Sequence, residues 1–241
     1  MDITSDTHSQ HISRQFNQEL EELKTHLMAM GGLVEKQVQN AVHALLENDS
    51  HLAEEVRDND RQVNDLQLKI DEECTRVLAR RQPAASDLRL VLAVIRATSD
   101  LERIGDEASK IARNALLLSE NASNVRGLVE VRHISEHVRK MLRDALTAFA
   151  RFDTELAMQV VREDESVDDE YGSAMRSLMT FMMEDSRSIT PVLSIMWVLR
   201  ALERVGDHAN NLAEYVVYLV KGLDIRHSAP DSVDQQMLKK P

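Results

Sequence analysis

From Phe16 onward the apolar residues fall at alternating intervals of three and four: Leu20, Leu23, Leu27, Met30, Val34, Val38, Ala41 and Leu45. That spacing draws one narrow stripe down a long helix, the seam of a coiled-coil-like bundle. Ser13 is placed to cap this helix, and Gly31-Gly32 is a candidate bend within it. Asn48-Asp49-Ser50 reads as a turn and cap, after which Leu52, Val56, Val63, Ile70 and Val77 mark a second helix that stops at Gln82-Pro83. Ser86 or Asp87 should cap a third helix that runs to about Ser119, and the small polar residues from Asn121 to Gly127 read as a linker. A fourth helix carries Leu128, Val131, Ile134, Val138, Leu142, Ala145 and Phe149, and Asp153 caps a fifth. The chain breaks at Asp185-Ser186-Arg187-Ser188, Thr190-Pro191 opens a sixth helix, and Gly222 ends it.

The second half repeats the first. Asp153 stands 104 residues after Asp49, and the same shift pairs Leu52 with Leu156, Val56 with Val160, Asp60 with Asp164 and Val63 with Val167. Farther on, Leu101-Glu102-Arg103-Ile104-Gly105-Asp106 returns as Leu202-Glu203-Arg204-Val205-Gly206-Asp207, a shift of 101. The predicted fold is all-α: two tandem three-helix bundles over residues 12–120 and 127–222, related by internal duplication, with a polar tail over 223–241 expected to fray. Each helix should hold about 30 residues, or ~45 Å.

Composition narrows the function classes. Aromatic residues make up 3% of the chain, which suits helices better than a β-sandwich. A net charge of −12 repels a phosphate backbone, and no nucleic-acid motif is present, but the acidic balance suits cations or basic partner surfaces. One cysteine, Cys74, excludes an internal disulfide and fits a reducing compartment. Residues 1–10 lack the apolar centre of a secretory signal, and no apolar run reaches the roughly 18–20 residues of a membrane span. A cytoplasmic protein is expected.

The repeated motif carries the chemistry. Glu102 and Asp106, and again Glu203 and Asp207, stand four apart, which puts both carboxylates on one helix face about 5–6 Å apart at Cβ. Like charges at that spacing repel, so writing the pair twice asks for a compensating partner. Helices two and five supply further oxygens, Asp60 with Asn64 and Asp164 with Asp168. Continuing the apolar register of helix three through Leu88, Leu92, Ile95 and Ser99 reaches Glu102, Asp106 and Ser109; helix six does the same through Ile189, Leu193, Met196 and Arg200 to Glu203, Asp207, Asn210 and Glu214. Hard oxygen ligands favour Mg²⁺, Mn²⁺, Ca²⁺ or iron over zinc. The plain alternative is that Arg103, Arg200 and Arg204 neutralise the acids as solvated ion pairs. His208 beside one site is expected at the surface. Glu130-x-x-His133 lies on a different helix from the acids, which argues against a ferritin-like di-iron site, and Met175, Met179, Met182 and Met183 form core or a pliable interface.

The two acidic motifs, Glu107-x-x-x-Ile111 after the first of them, residues 79–89 (Ala-Arg-Arg-Gln-Pro-Ala-Ala-Ser-Asp-Leu-Arg), residues 29–35 and residues 179–186 together resemble the PhoU family of phosphate-transport regulators. The resemblance covers residues 12–227 and implies two three-helix bundles with polynuclear metal sites on Glu102 and Asp106, Glu203 and Asp207, and Asp164 and Asp168. Asn64 departs from the all-acid pattern where Asp168 stands in the second half. The resemblance further implies a non-enzymatic, cytosolic negative regulator of phosphate uptake and of the phosphate-starvation two-component response. Such a protein bridges a phosphate ABC transporter and a membrane sensor histidine kinase, often as a homodimer. Its cofactors would be divalent ions, Mg, Mn or Fe. Two other classes stay open, a metal-dependent helical-bundle hydrolase or oxidase and a metal-free helical adaptor.

Overall fold

A computed structural model describes residues 3–121 and 125–226 of the chain, with the side chains of residues 14–120 and 125–226. Six helices follow one another: α1 (Ile3–Glu47), α2 (Ser50–Arg81), α3 (Ala85–Asn121), α4 (Leu128–Arg151), α5 (Thr154–Glu184) and α6 (Ile189–Lys221), with a single 3₁₀ turn at Ser186–Ser188. The described residues contain no strand, and none of their helices is long and apolar enough to cross a membrane. The caps at Asp49, Asp153 and Gly222 are those the sequence predicts. The Asp49 carboxylate accepts from the backbone N–H of Leu52, and Asp153 accepts from Glu155 and Leu156. Gly222 closes α6 in the left-handed region at φ 64°. Thr190-Pro191 falls in the first turn of α6, where a missing N–H is harmless.

The helices are less uniform than expected, from 24 residues in α4 to 45 in α1. α1 begins at Ile3 and so runs through Ser13, which is not its cap; the stretch before Ser13 holds neither Gly nor Pro to stop it. α3 likewise starts at Ala85, ahead of Ser86 and Asp87. Leu223 and Ile225 pack on the core just beyond α6, so the chain stays ordered through Arg226. The remainder of the expected tail, 227–241, and the centre of the expected linker, 122–124, lie outside the described residues.

α1, α2 and α3 pack on one another, as do α4, α5 and α6, and the two groups meet along α3–α6 and α1–α4. One continuous core joins them. Because α3 and α6 are each covered on two sides, their apolar arcs are wider than a single stripe. The buried line of α3 runs through Val91, Val94, Leu101, Ile104, Ala108 and Ile111, while Leu88 is exposed. In α6 it runs through Val192, Ile195, Leu199, Leu202, Val205 and Leu212, while Ile189 and Leu193 are exposed. The register that begins at Leu88 and Ile189 therefore follows the edge of the buried arc rather than its centre, and the acidic pairs lie along that edge, beside α2 and α5. The Met cluster is split: Met182 packs on the core, whereas Met179 and Met183 are exposed.

Gly31-Gly32 does not interrupt α1. A Cβ on Gly31 would come within 2.5 Å of Leu146 Cδ2 on α4, whereas one on Gly32 would meet nothing within 4 Å. Gly32→Ala should therefore raise stability by up to about 1 kcal/mol through helix propensity, and Gly31→Ala should gain less or lose stability as Leu146 is displaced. Paired urea melts check the order, and a larger gain at Gly31 would contradict the close α1–α4 contact.

Candidate metal centre

The second acidic cluster is the more compact. Asp168 on α5 and Glu203 and Asp207 on α6 each offer an oxygen, and these oxygens lie within 4.8 Å of one another. Among the described residues this is the only such trio of His, Cys, Asp or Glu. Asp164, one turn before Asp168, stands beside the trio and is held by the Asn210 amide, which donates to its Oδ2 at 2.8 Å. Burial, followed by the charges of Asp207 and Asp168, pushes the Asp164 carboxyl up to about 6. Burial and the Asp207 charge push Glu203 up to about 7 against the opposing pull of Arg200. Asp207 is raised as well, by burial and then by Asp168. These are carboxylates crowded together and partly dried, short of positive charge.

The first cluster repeats the plan with different chemistry. Glu102 is raised by burial and then by the neighbouring charges of Asp106 and, more weakly, Asp60. The Ser109 hydroxyl donates to Asp60 Oδ1 at 3.2 Å, as Asn210 donates to Asp164, and Ser109 and Asn210 are themselves 101 apart. Asp60, Glu102 and Asp106 thus share one neighbourhood, with Asn64 half-buried one turn along α2. Their acid oxygens do not converge as closely as those of the second trio.

A residue that sequence reasoning missed completes the first cluster. Gln37 on α1 is buried, and neither its Oε1 nor its Nε2 has a hydrogen-bond partner. A Cβ on Gly105 would lie 3.4 Å from Gln37 Oε1 and 3.7 Å from Asp60 Oδ1, so both oxygens flank the same spot above the glycine. The matching Gly206 instead faces Val167 and Val138. The first cluster therefore has two amides, Gln37 and Asn64, where the second has an apolar Val138 and the carboxylate Asp168. The signal was present: Gln37 lies three residues after Val34, on the apolar face of its helix.

The arginines offset only part of this charge: Arg103 pulls on Glu102, and Arg200 and Arg204 on Glu203 and Asp207, yet all three carboxyls stay raised. Arg200 bonds Glu203 Oε1, but Glu203 Oε2 is buried without a partner. Arg204 turns away to Glu107 at 3.0 Å, and among the described residues Arg103 forms no ion pair. A divalent cation with hard oxygen ligands fits what is left over, because it would satisfy the orphaned oxygen and offset the crowded charge together. The eight side chains expected at the sites thus fall into two groups, one near Glu203 and one near Glu102.

His208, expected at the surface, is buried. Its Nδ1 lies 2.8 Å from Asp100 Oδ1 on α3, and Asp100 also accepts from Asn211 at 3.2 Å and from the Tyr215 hydroxyl at 2.7 Å. Glu107, the counterpart of His208 under the 101 shift, is buried too and crosses the same seam to Arg204. These contacts tie the two halves together directly behind the acidic clusters. Glu130 and His133 are not part of the acid trio, and His133 faces Glu170 on α5 at 3.5 Å.

Known proteins align with this arrangement along most of its length. The PhoU domain matches residues 27–115 and again 131–216. A phosphate-specific transport system accessory protein PhoU homolog from Pseudomonas putida is 60% identical over 225 residues, which is 93% of this chain and 88% of that protein. The phosphate-specific transport system accessory protein PhoU of Escherichia coli is 46% identical, with 96% of each chain covered. Among solved structures, PhoU from Pseudomonas aeruginosa superposes with a TM-score of 0.85 at 59% identity, over 86% of this chain and all of that one. The phosphate transport system regulatory protein PhoU from Streptococcus pneumoniae superposes at 0.80 with 32% identity, over 87% and 98%. With both repeats matched and relatives aligned over nearly their full lengths, the chain belongs to the PhoU family.

Proposed function

We propose that this protein is a cytoplasmic, metal-loaded regulator that restrains phosphate uptake and the phosphate-starvation response. The observation that carries the metal reading is the trio Asp168, Glu203 and Asp207, with one Glu203 oxygen buried and unpaired and the same motif written again at Glu102 and Asp106. Asp164, Asp168, Glu203 and Asp207 would hold one Mg, Mn or Fe centre, and Asp60, Asn64, Glu102 and Asp106, with Gln37, a second. The bound cation supplies positive charge at the α2–α3 and α5–α6 edges. The chain's own part is to orient the oxygens: Asn210 and Ser109 hold Asp164 and Asp60, and Arg200 holds one side of Glu203. Asn64 in place of Asp168 gives the first centre one fewer negative charge, so it should bind more weakly than the second.

The regulatory reading rests on the names borne by the relatives, which are accessory and regulatory proteins of phosphate transport. In this role the protein works without catalysis, as a homodimer, between a phosphate ABC transporter and a membrane sensor histidine kinase. A clean deletion strain grown in rich phosphate should switch on its phosphate-starvation genes and take up phosphate without restraint. Normal repression in that strain would overturn the regulatory reading.

A further inference from the structure

Beside the second acidic cluster, α3 and α6 frame a groove of about 500 Å³ into which four basic side chains reach among apolar ones. Lys110 and Arg113 reach it from α3, Arg200 and Arg204 from α6, and the chain's single tryptophan, Trp197, lines it too. Against four cations stand two carboxylates, Glu107 on the floor and Glu203 behind Arg200, a surplus of two positive charges on a protein whose net charge is −12. Glu107 is buried and engages Lys110 at 2.9 Å and Arg204 at 3.0 Å, which aims both cations at the groove while leaving much of each side chain exposed. Arg113 is exposed and, among the described residues, makes no hydrogen bond or ion pair. Trp197 is 66% exposed, a large apolar surface left in water.

Cations gathered from two helices repel one another, and a bound anion relieves that repulsion. Guanidinium groups match phosphate oxygens in paired hydrogen bonds, and an indole beside them offers a face on which a planar base can stack. The volume lies within the range of small-molecule sites. We propose that the α3–α6 groove binds a phosphate-bearing small molecule, with Arg113 and Arg200 on the phosphoryl oxygens beside Lys110 and Arg204. Free phosphate and a nucleoside phosphate share this chemistry, and Trp197 distinguishes them, because only the second has a ring to stack on it. The proposal goes beyond the metal reading and does not depend on it.

The single tryptophan makes the test direct. Protein held in chelator, so that metal plays no part, is titrated with inorganic phosphate, with adenosine diphosphate and with sodium chloride at matched ionic strength while Trp197 fluorescence is followed. A saturable change with either phosphate compound and none with chloride is expected. A stronger quench by the nucleotide identifies a nucleoside phosphate, and equal response identifies free phosphate. Arg113→Glu leaves every contact of the fold in place and should weaken binding about tenfold or more, while Arg132→Glu on α4, outside the groove, should leave it unchanged. Equal thermal melts of the two variants show that the fold is intact. No saturable change, a change shared by chloride, or binding indifferent to Arg113→Glu would overturn the proposal. So would acrylamide quenching that finds Trp197 shielded in the free protein, since another chain would then cover the groove.

Discussion

Stripped of metal, the protein should lose stability as the pH rises from about 4 to about 7, and divalent metal should offset most of that loss. Burial and mutual repulsion raise Asp164 from the ordinary carboxylate range to about 6 and Glu203 to about 7. A group whose pKa is raised by folding holds more protons folded than unfolded in that window, so stability is full below the ordinary value and falls as pH climbs through the raised one. Glu214, pushed up to about 7 by burial and by Asp224, adds to the same slope. At 1.36 kcal/mol per pKa unit, and allowing for solvent at the rims of the clusters, the loss should be on the order of 2–4 kcal/mol. A divalent cation held at the clusters would take the ionised carboxylates, so its contribution should grow over the same window. At a hundredfold excess over Kd it adds about 2.7 kcal/mol, and acid removes it. Urea melts at half-unit pH steps, with chelator and with Mn²⁺, should give two curves that diverge above pH 5. A chelated protein that gains stability between pH 5 and 7 would contradict the crowded-acid account.

Asp100→Ala should destabilise the protein by about 3–5 kcal/mol, the loss expected when one partner of a buried charged network is removed. Asp100 is buried and accepts from His208, Asn211 and Tyr215, all on the other half of the chain. Truncation strands the buried His208 and Tyr215 groups at the α3–α6 seam, each carrying a penalty of about 1–3 kcal/mol, and takes a partner from the half-buried Asn211 amide. The seam also fixes where the acidic clusters lie, since Asp100 is two residues before Glu102, and His208 directly follows Asp207. The variant should therefore weaken metal binding as well as the fold. Asp100→Asn keeps one acceptor oxygen and should cost less than Ala. Equilibrium denaturation with the groove tryptophan as reporter measures both, and a loss below about 1 kcal/mol in Asp100→Ala would contradict the network.

What could be read from the chain was what local chemistry determines. Asp49 and Asp153 cap their helices because an Asp before an apolar-periodic run satisfies free N–H groups whatever the rest of the molecule does. The repeat at Glu102 and Glu203 is visible by identity, and acids on α2 and α5 fall beside it because the duplication copied the neighbouring helix together with the motif. The register of α3 and α6 slipped by part of a turn for a tertiary reason. A helix covered on two sides has a broad apolar arc, and following one stripe from Leu88 or Ile189 led along its margin. His208 was misplaced for the same reason, since its partner Asp100 lies 108 residues away and no local pattern links them. Gln37 was legible only as a polar residue in a core register, a signal without meaning until Gly105 and Asp60 are placed around it.

Whether the acidic clusters hold divalent metal is decided by a denaturation series with chelator or Mn²⁺ on wild type, Glu102→Ala/Asp106→Ala and Glu203→Ala/Asp207→Ala. If metal is the missing partner, each double substitution removes repulsion from the chelated protein and adds helix propensity, a gain of a few tenths of a kcal/mol or more. Both chelated variants should then be at least as stable as chelated wild type. The metal-dependent gain should shrink with each pair removed, more for Glu203 and Asp207 than for Glu102 and Asp106. If the acids instead serve as ion-pair partners, their loss strands Arg200 and destabilises the protein equally with and without metal. Stability lost only when Mn²⁺ is present is the result this account predicts; equal loss in both conditions would contradict it.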